Sequence, residues 1–393
     1  VRRLSGVGVG VGWLYGINTL GAVAGVVTIT FFLMEALGLK ASTYSVAAVN
    51  FGVAALALLL DRRQLQDAAS TIEAVPESAA DAGTNDPIPH HLITIVIVGF
   101  ALSGFAALGY EVAWLRLFIV AFSVNTHYEF SIILIAFLLG ISLGSFACSR
   151  YMKANRDLLA LFGIMEVLIG IMGICSVFLF IWSSEWIGFI QHAQEWWRYR
   201  LGIFAVSFTI MFVPTFLMGA LFPVVIRINT RQLSSLGRGV GDVYAVNSLG
   251  AIGGAFATGF LLIPAFGTEG TFKVLGLINL AAGLIVLLLH PGIRPPRRRK
   301  TMFGATLVIA FLVLTLAPDD VLRTIAEPRD PERKLAYYSE GREGVVTVIS
   351  KPGYRMLQFN RGGQVPTDYS SFQLFRLLGH LPLLLHPDPQ DVL

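Results

Sequence analysis

Only 14% of the 393 residues are charged, whereas 55% are hydrophobic, and the formal net charge is +4. Soluble domains carry about 25% charged residues, so the composition excludes an ordinary soluble protein and indicates a chain surrounded mainly by lipid. Basic residues cluster between apolar segments, as in cytoplasmic membrane loops, and therefore indicate no nucleic-acid partner. The two cysteines, Cys148 and Cys175, show neither a disulfide framework nor metal-ligand spacing, so no metal site is predicted.

Apolar segments long enough to cross a bilayer recur along most of the chain. A transmembrane helix needs roughly 20 apolar residues, and this requirement predicts about nine such helices. The predicted segments are 12–34, 41–60, 92–118, 127–149, 158–182, 201–226, 243–264, 271–289 and 302–317. Residues 61–91 are polar and contain three prolines, which predicts a solvated loop.

The basic residues fix an orientation for these segments. Most of them precede the first segment or follow the second, fourth, sixth and eighth, so they fall on one side if the segments alternate, and that side is the cytoplasm. These residues are Arg2, Arg3, Arg62, Arg63, Arg150, Lys153, Arg156, Arg227, Arg231, Arg238 and Arg297, Arg298, Arg299 and Lys300. The exceptions are Lys40, Arg116, Arg198, Arg200 and Lys273, which are accompanied by glutamates. We expect a multi-pass protein of the bacterial inner membrane, with the lipid bilayer as its partner. Counting nine segments from a cytoplasmic start places the tail outside the cytoplasm, unless the short segment 302–317 does not cross the membrane completely.

An internal repeat relates two parts of the membrane region. Residues 12–60 align with 241–289 at a constant offset of 229, without gaps. Chance similarity between apolar helices matches leucine and alanine more readily than tyrosine, asparagine and glycine, so we predict a duplication. The informative identities are Gly12/Gly241, Tyr15/Tyr244, Asn18/Asn247, Gly21/Gly250, Gly25/Gly254, Gly38/Gly267 and Asn50/Asn279.

The duplication predicts how the membrane region is organised. Residues 92–289 form one six-helix repeat, and residues 1–60 are the last two helices of an earlier copy whose first helices would precede residue 1. An even number of helices gives a parallel repeat, as in the two halves of major-facilitator transporters. Residues 290–317 are then a basic loop and the ninth helix, and the charged residues 318–336 are a linker.

The tail, residues 337–393, has the pattern of a soluble domain. β-branched residues predict a strand over 344–350, and a turn at residues 351–353 separates it from a second strand over 355–359. Residues 369–378 predict a helix, and residues 391–393 look like the beginning of another strand.

Several segments together resemble the membrane-fused spermidine synthase-like proteins, also described as fused major-facilitator/spermidine synthase proteins. These segments are residues 103–116, 137–145, 217–223 and 244–251 in the membrane part and 363–383 in the tail. The resemblance implies aminopropyl transfer from decarboxylated S-adenosylmethionine, the co-substrate, to a polyamine. It also implies that 337–393 is the truncated, β-rich start of an α/β Rossmann-like methyltransferase-type domain. The nucleoside-binding turn would follow residue 393, so we expect this fragment to bind no cofactor and to be inactive alone.

The resemblance also implies substrate-binding residues in the tail. Gln364 matches a glutamine near the donor site of the family, Asp368 matches part of an acidic pair, and Gln373 matches a polar position after an aromatic residue. Ordinary turn and helix-surface polarity explains the two glutamines equally well.

Polar side chains within the apolar segments are functional candidates. Glu111, Glu129 and Glu166 can line a path for protons or for a cationic amine, although Glu111 and Glu129 also suit the membrane interface and Glu166 a structural role. Asn18 and Asn247 are expected to form hydrogen bonds between helices, next to glycine pairs that allow close helix packing.

Two functions remain open at this point. The chain is either part of an aminopropyltransferase-like enzyme anchored by its membrane helices, or a major-facilitator-like transporter of an amine or another small solute with a degenerate soluble module. Whether it is an enzyme is not decided by the residues it contains.

Overall fold

The computed structural model describes residues 7–70, 88–122, 126–151, 157–183, 186, 188, 190, 195–230, 236–292, 296–328 and 330–386. Most of these residues are helical. The helices are α1 (Val7–Thr28), α2 (Met34–Ser70), α3 (His90–Phe122), α4 (His127–Tyr151), α5 (Leu158–Trp182), α6 (Trp196–Asn229), α7 (Leu236–Ala257), α8 (Ile263–Leu289), α9 (Pro296–Leu316), α10 (Val321–Ala326) and α11 (Tyr369–Leu385).

Seven helical stretches in the described part of the chain are long and apolar enough to cross a membrane, which is compatible with a multi-pass membrane protein. Two of them, Gly8–Leu60 and Leu236–Leu289, each contain two of the predicted segments. The prediction of nine crossings therefore depends on whether these stretches turn back within the membrane. The end of α2 at Ser70 extends ten residues into the predicted loop; residues 71–87 lie outside the described residues.

Both double-length stretches are interrupted by a glycine in the same backbone conformation. Gly38 has φ 73° and ψ 174°, and Gly267 has φ 70° and ψ 177°. Side chains with a Cβ atom rarely adopt this region, so glycine supplies the break at little steric cost. Each break divides its stretch at the boundary expected between two membrane segments.

The two stretches share further details at the offset of 229. The π-helical turns Ile29–Leu33 and Thr258–Leu262 occupy equivalent positions. After each break, a hydroxyl group closes the first helical turn: Ser42 Oγ donates to the carbonyl of Gly38, and Thr271 Oγ1 donates to that of Gly267, both at 2.7 Å. These shared irregularities support the predicted duplication, because they do not follow from hydrophobicity.

The two copies differ in what they pack against. A Cβ atom at Gly250 or Gly254 would lie 2.0 or 1.9 Å from a backbone oxygen of α3, so these glycines hold α7 against that helix. The equivalent Gly21 and Gly25 have no such neighbour within 4 Å among the described residues. The expectation of glycine-mediated packing is thus met in the second copy only.

The helical core is built around α3, α4, α5, α6 and α8. α3 packs against α7 and α8, α4 against α6, and α5 against α6 and α8, while α1 packs on α4 and α6. Large aromatic side chains fill the interior. Those that are fully buried are Tyr110, Trp114, Phe118, Phe162, Phe180 and Phe272.

A small antiparallel sheet follows α10. Its strands are β1 (Lys334–Glu340), β2 (Val345–Lys351), β3 (Tyr354–Phe359) and β4 (Gly362–Pro366), arranged in sequential order. β2 shows the alternation of a half-buried strand, because Val345, Thr347 and Ile349 are buried and the residues between them are not. The strands predicted over 344–350 and 355–359 correspond to β2 and β3.

Other parts of the tail differ from the sequence prediction. β1 begins within the predicted linker, which also contains the short helix α10, and β4 lies in a part of the tail for which no strand was predicted. α11 begins at the predicted residue and continues to Leu385. The strand expected over 391–393 lies outside the described residues.

Candidate functional site

The three intramembrane glutamates lie on three helices and have different surroundings. Glu111 lies on α3 and is partly buried. Glu129 lies in the first turn of α4, where it is 7% exposed and accepts a hydrogen bond from the Thr126 hydroxyl. Glu166 is fully buried on α5. Contacts among the described residues do not join these carboxyl groups into the single path that the sequence suggested.

Glu166 is paired with an amide on a neighbouring helix. Asn279 of α8, also fully buried, donates from Nδ2 to Glu166 Oε2 at 2.7 Å. The Ser103 side chain of α3 also lies beside the carboxyl group. Three helices therefore converge on one carboxyl group in the bundle interior.

Several polar atoms near this pair have no hydrogen-bond partner among the described residues. They include Glu166 Oε1 and Asn279 Oδ1, and also Tyr110 Oη on α3. The Tyr110 ring stacks on Trp114 at 5.3 Å between ring centroids. A carboxyl group and an amide in an apolar interior form a site that can exchange a proton or hold a polar group.

The sequence singled out Glu166 but not Asn279 as a site residue. Asn279 was noted only as a match to Asn50 in the repeat, and Asn50 is exposed. Spacing along one chain could not pair residues 113 positions apart. Of the other candidate amides, Asn247 packs on α3 at Gly104, whereas Asn18 is exposed on α1.

A second group of contacts, which we call the junction, joins the sheet to the helices. The guanidinium of Arg116, near the end of α3, donates to the carbonyl of Gly341 after β1. Arg361, between β3 and β4, donates from Nη1 to the carbonyl of Ala121 on α3 at 3.2 Å. Arg116 on the helix and Arg361 in the sheet therefore both link the end of α3 to the sheet.

The helix break at Gly267 also takes part in this junction. Glu340 of β1 accepts hydrogen bonds from Thr268 N at 3.0 Å and Thr268 Oγ1 at 2.8 Å. The break exposes the amino end of a new helical segment, where backbone N–H groups and the helix dipole favour an anion. Glu340 supplies that anion from the sheet.

Two further contacts complete the junction. Tyr338 donates its hydroxyl to Glu340 Oε1 at 2.7 Å, and burial together with the neighbouring carboxylates raises the pKa of Tyr338. Glu269 Oε1 accepts a hydrogen bond from the backbone of Leu322 at 2.9 Å, which fixes the start of α10. The Glu340 carboxylate of the sheet therefore stabilises the helix break at Gly267, and the Glu269 carboxylate of α8 stabilises the start of α10.

The junction lies at the end of the bundle opposite the basic loops. α3 ends at Phe122 next to the sheet, and α4 begins at His127. α4 has 25 residues, so at 1.5 Å per residue its basic residue Arg150 lies about 35 Å from the start of the helix. A hydrogen bond between His290 Nε2 and Asp157 Oδ1, 2.7 Å long, joins α5 and α8 at that other end.

The three tail residues implied by the resemblance lie on β4, on α11 and at the connection between these two elements. Gln364 lies on β4, and Gln373 is exposed on α11. Asp368 caps the amino end of α11, where it accepts hydrogen bonds from Ser371 N at 3.0 Å and from the Ser371 and Ser370 hydroxyl groups. These bonds lower the pKa of Asp368 to about 2.

The fold and these sites define a class: a polytopic helical chain of membrane type with a small antiparallel sheet held at one end of its bundle. A curated protein of Streptomyces coelicolor, polyamine aminopropyltransferase 1, is 25% identical over 264 residues, which cover 64% of this chain. This distant similarity supports a spermidine synthase-like relationship. The chain spans 46% of that relative's length. No protein-family model and no solved structure matches the chain.

Proposed function

We propose that this chain belongs to a membrane-bound, spermidine synthase-like enzyme of the bacterial inner membrane. In the reaction, a polyamine nitrogen attacks the aminopropyl carbon of decarboxylated S-adenosylmethionine. The new C–N bond forms as the C–S bond of the sulfonium breaks, the thioether leaves, and the amine loses a proton. The similarity to polyamine aminopropyltransferase 1, over a region that covers most of this chain, carries the proposal.

The junction supports a physical role for the membrane part in such an enzyme. Arg116, Arg361 and Glu340 hold the sheet directly on the helices instead of leaving it on a flexible tether. In spermidine synthase-like proteins a small β-rich piece precedes the nucleoside-binding fold, and we assign β1–β4 to that piece. The helices then act as a fixed platform for the catalytic domain.

No catalytic step is assigned to the tail residues that the resemblance implies. Asp368 uses its carboxylate oxygens in capping α11, and Gln373 lies on the exposed surface of that helix. We expect transfer to require residues beyond this set.

An activity assay tests the proposal. The chain, purified in lipid nanodiscs, is incubated with decarboxylated S-adenosylmethionine and putrescine, cadaverine or spermidine, and release of methylthioadenosine is measured. S-adenosylmethionine with its carboxyl group intact is the control donor. Amine-dependent release from the decarboxylated donor alone supports transfer by this chain. No release from residues 1–393, but release from a longer form that includes a nucleoside-binding domain, supports the platform role, and no release from either contradicts the proposal.

A transporter is the second candidate, because the bundle contains a fully buried carboxyl group and two helices broken at equivalent glycines. Broken helices and intramembrane carboxylates are features of substrate and ion paths in transporters. Uptake of labelled putrescine into proteoliposomes, compared between wild type and Glu166→Gln, tests this function. Absence of uptake for putrescine, cadaverine and spermidine would remove it.

A further inference from the structure

Glu166 and Asn279 lie in a seam where α5 and α8 approach closely. A Cβ atom at Gly283 would lie 2.5 Å from the backbone oxygen of Gly163, and one at Gly170 would lie 2.6 Å from that of Gly276. Glu166 is located between the two glycines of α5, and Asn279 between the two of α8. The glycines therefore bring the backbones together and hold the carboxyl group and the amide against each other.

The hydrogen bonds of this pair leave two acceptors without a donor. Asn279 Nδ2 donates to Glu166 Oε2, whereas Glu166 Oε1 and Asn279 Oδ1 have no partner among the described residues. An ionised carboxylate only accepts hydrogen bonds, and the amide oxygen also only accepts. A single proton on Oε1 removes the conflict, because a neutral carboxyl group offers one donor and one acceptor to the one donor and one acceptor of an amide.

The surroundings supply no compensating positive charge in the described residues near the pair. α3 contributes the Ser103 hydroxyl and the Tyr110 phenol, and neither carries positive charge at neutral pH. The other ionisable residues of α3, which are His90, His91, Glu111 and Arg116, lie at least eight residues from Ser103 along the helix, and Cys175 lies nine residues after Glu166 on α5. Ionisable groups on the other packed helices lie towards their ends. These are Asp157 before α5, Arg198, Tyr199, Arg200 and Arg227 on α6, Glu269 and Lys273 on α8, His290 after it, and the basic residues that begin α9.

An isolated carboxylate in this interior would be costly. Burying an ion without a partner is strongly unfavourable even after the protein relaxes, and an unsatisfied buried acceptor adds a further cost. Protonation avoids both costs, so burial, hydrogen-bond geometry and the placement of charges lead to the same conclusion.

We propose that Glu166 is a proton-binding site in the helical core, where its neutral carboxyl group donates to Asn279 Oδ1 while accepting from Asn279 Nδ2. The proton is held only while the α5–α8 seam stays closed and free of cations. Opening of the seam to water, or entry of a cationic group, would favour its release. This inference concerns the membrane helices and is independent of aminopropyl transfer.

Infrared spectroscopy of the intact protein in lipid tests the proposal. The spectrum of Glu166→Gln, subtracted from that of wild type at neutral pH, should contain the C=O stretching band of one protonated carboxyl group. Glutamine is isosteric and offers the same donor and acceptor to Asn279, so this variant should fold and keep its melting temperature. A difference spectrum that contains only carboxylate bands would overturn the proposal.

A second variant tests the pairing without relying on Glu166→Gln. Asn279→Leu removes the donor to the carboxyl oxygen, so the wild-type band should move to higher wavenumber. Asn18→Leu changes an exposed amide on α1 and should leave the band in place. A band that does not move in Asn279→Leu would show that Asn279 is not the partner and would overturn the proposed pair.

Discussion

At the scale of single residues, the contact between Glu340 and Thr268 combines several physical effects. A carboxylate from a strand caps the amino end of a helical segment that exists only because Gly267 breaks the helix. The charge of Glu340, the dipole of the helical segment and the backbone conformation of Gly267 therefore all act at this contact. The sequence alone does not pair these two residues, because they lie 72 positions apart.

Glu340→Ala should loosen the sheet from the helices. The change removes hydrogen bonds to a charged acceptor, each worth about 1.5–3 kcal/mol, and leaves the amino end of the helical segment without its anion. We expect a lower melting temperature and faster proteolysis between α10 and β1. Glu332→Ala, an exposed glutamate in the turn before β1, is the matched control. Equal behaviour of the two variants would contradict the proposed role of Glu340.

Tyr338 should make the junction sensitive to alkaline pH. Burial and nearby carboxylates raise its pKa in the folded protein above the ordinary value of 10.0. Its contribution to stability is therefore complete below about pH 10 and is lost as pH rises from that value towards the folded pKa. Melting temperatures measured between about pH 8 and pH 11 should fall more steeply for wild type than for Tyr338→Phe.

The control for the pH profile is Tyr337→Phe, which changes a neighbouring tyrosine that is 54% exposed. This variant should retain the alkaline loss of stability seen in wild type. If Tyr338→Phe also retained it, the loss would have to arise elsewhere in the protein.

At the scale of helices and strands, the two stretches related by the offset of 229 share a π-helical turn and a glycine break but have different environments. The second stretch packs on α3 through Gly250 and Gly254, whereas Gly21 and Gly25 of the first have no neighbour within 4 Å among the described residues. Packing against a neighbour, and not the local sequence, therefore decides what each glycine contributes. The same reasoning explains why Asn247 contacts α3 while Asn18 is exposed.

Gly254→Ala and Gly25→Ala should differ in effect although the positions are equivalent in the repeat. A methyl group at Gly254 would lie 1.9 Å from the Phe105 carbonyl oxygen, so α7 must move away from α3. Overpacking of this kind costs about 1–3 kcal/mol. We expect a lower melting temperature in detergent for Gly254→Ala and no decrease for Gly25→Ala. A large decrease for Gly25→Ala would instead indicate that another helix occupies that face in the protein as purified.

At the scale of the whole molecule, the sheet lies at the end of the bundle opposite the basic loops. Lys and Arg favour the cytoplasmic side, so we predict that β1–β4 lie on the other side of the membrane. The count of nine segments leads to the same prediction, provided that the ninth segment crosses the membrane. The junction contacts lead to it without that count, because they join the sheet to the end of α3.

Cysteine labelling tests this sidedness. In a background that carries Cys148→Ala and Cys175→Ala, single cysteines replace exposed Glu332 before β1 and exposed Arg238 in α7. A membrane-impermeant maleimide should label Glu332→Cys in intact spheroplasts and Arg238→Cys only after permeabilisation. The reverse pattern would place the sheet in the cytoplasm and contradict the orientation derived from the basic residues.

The sequence by itself determined the elements whose signal is local. Hydrophobic runs located the long apolar helices, β-branched residues located β2, and the ungapped alignment matched Gly38 with Gly267. Only the tertiary structure brought Glu166 to Asn279, placed Glu340 on the broken helix, and left Gly21 and Gly25 without the neighbour that Gly250 and Gly254 have. Local propensity depends on neighbouring residues along the chain, whereas these pairings depend on which helices pack together, and a single sequence does not specify that.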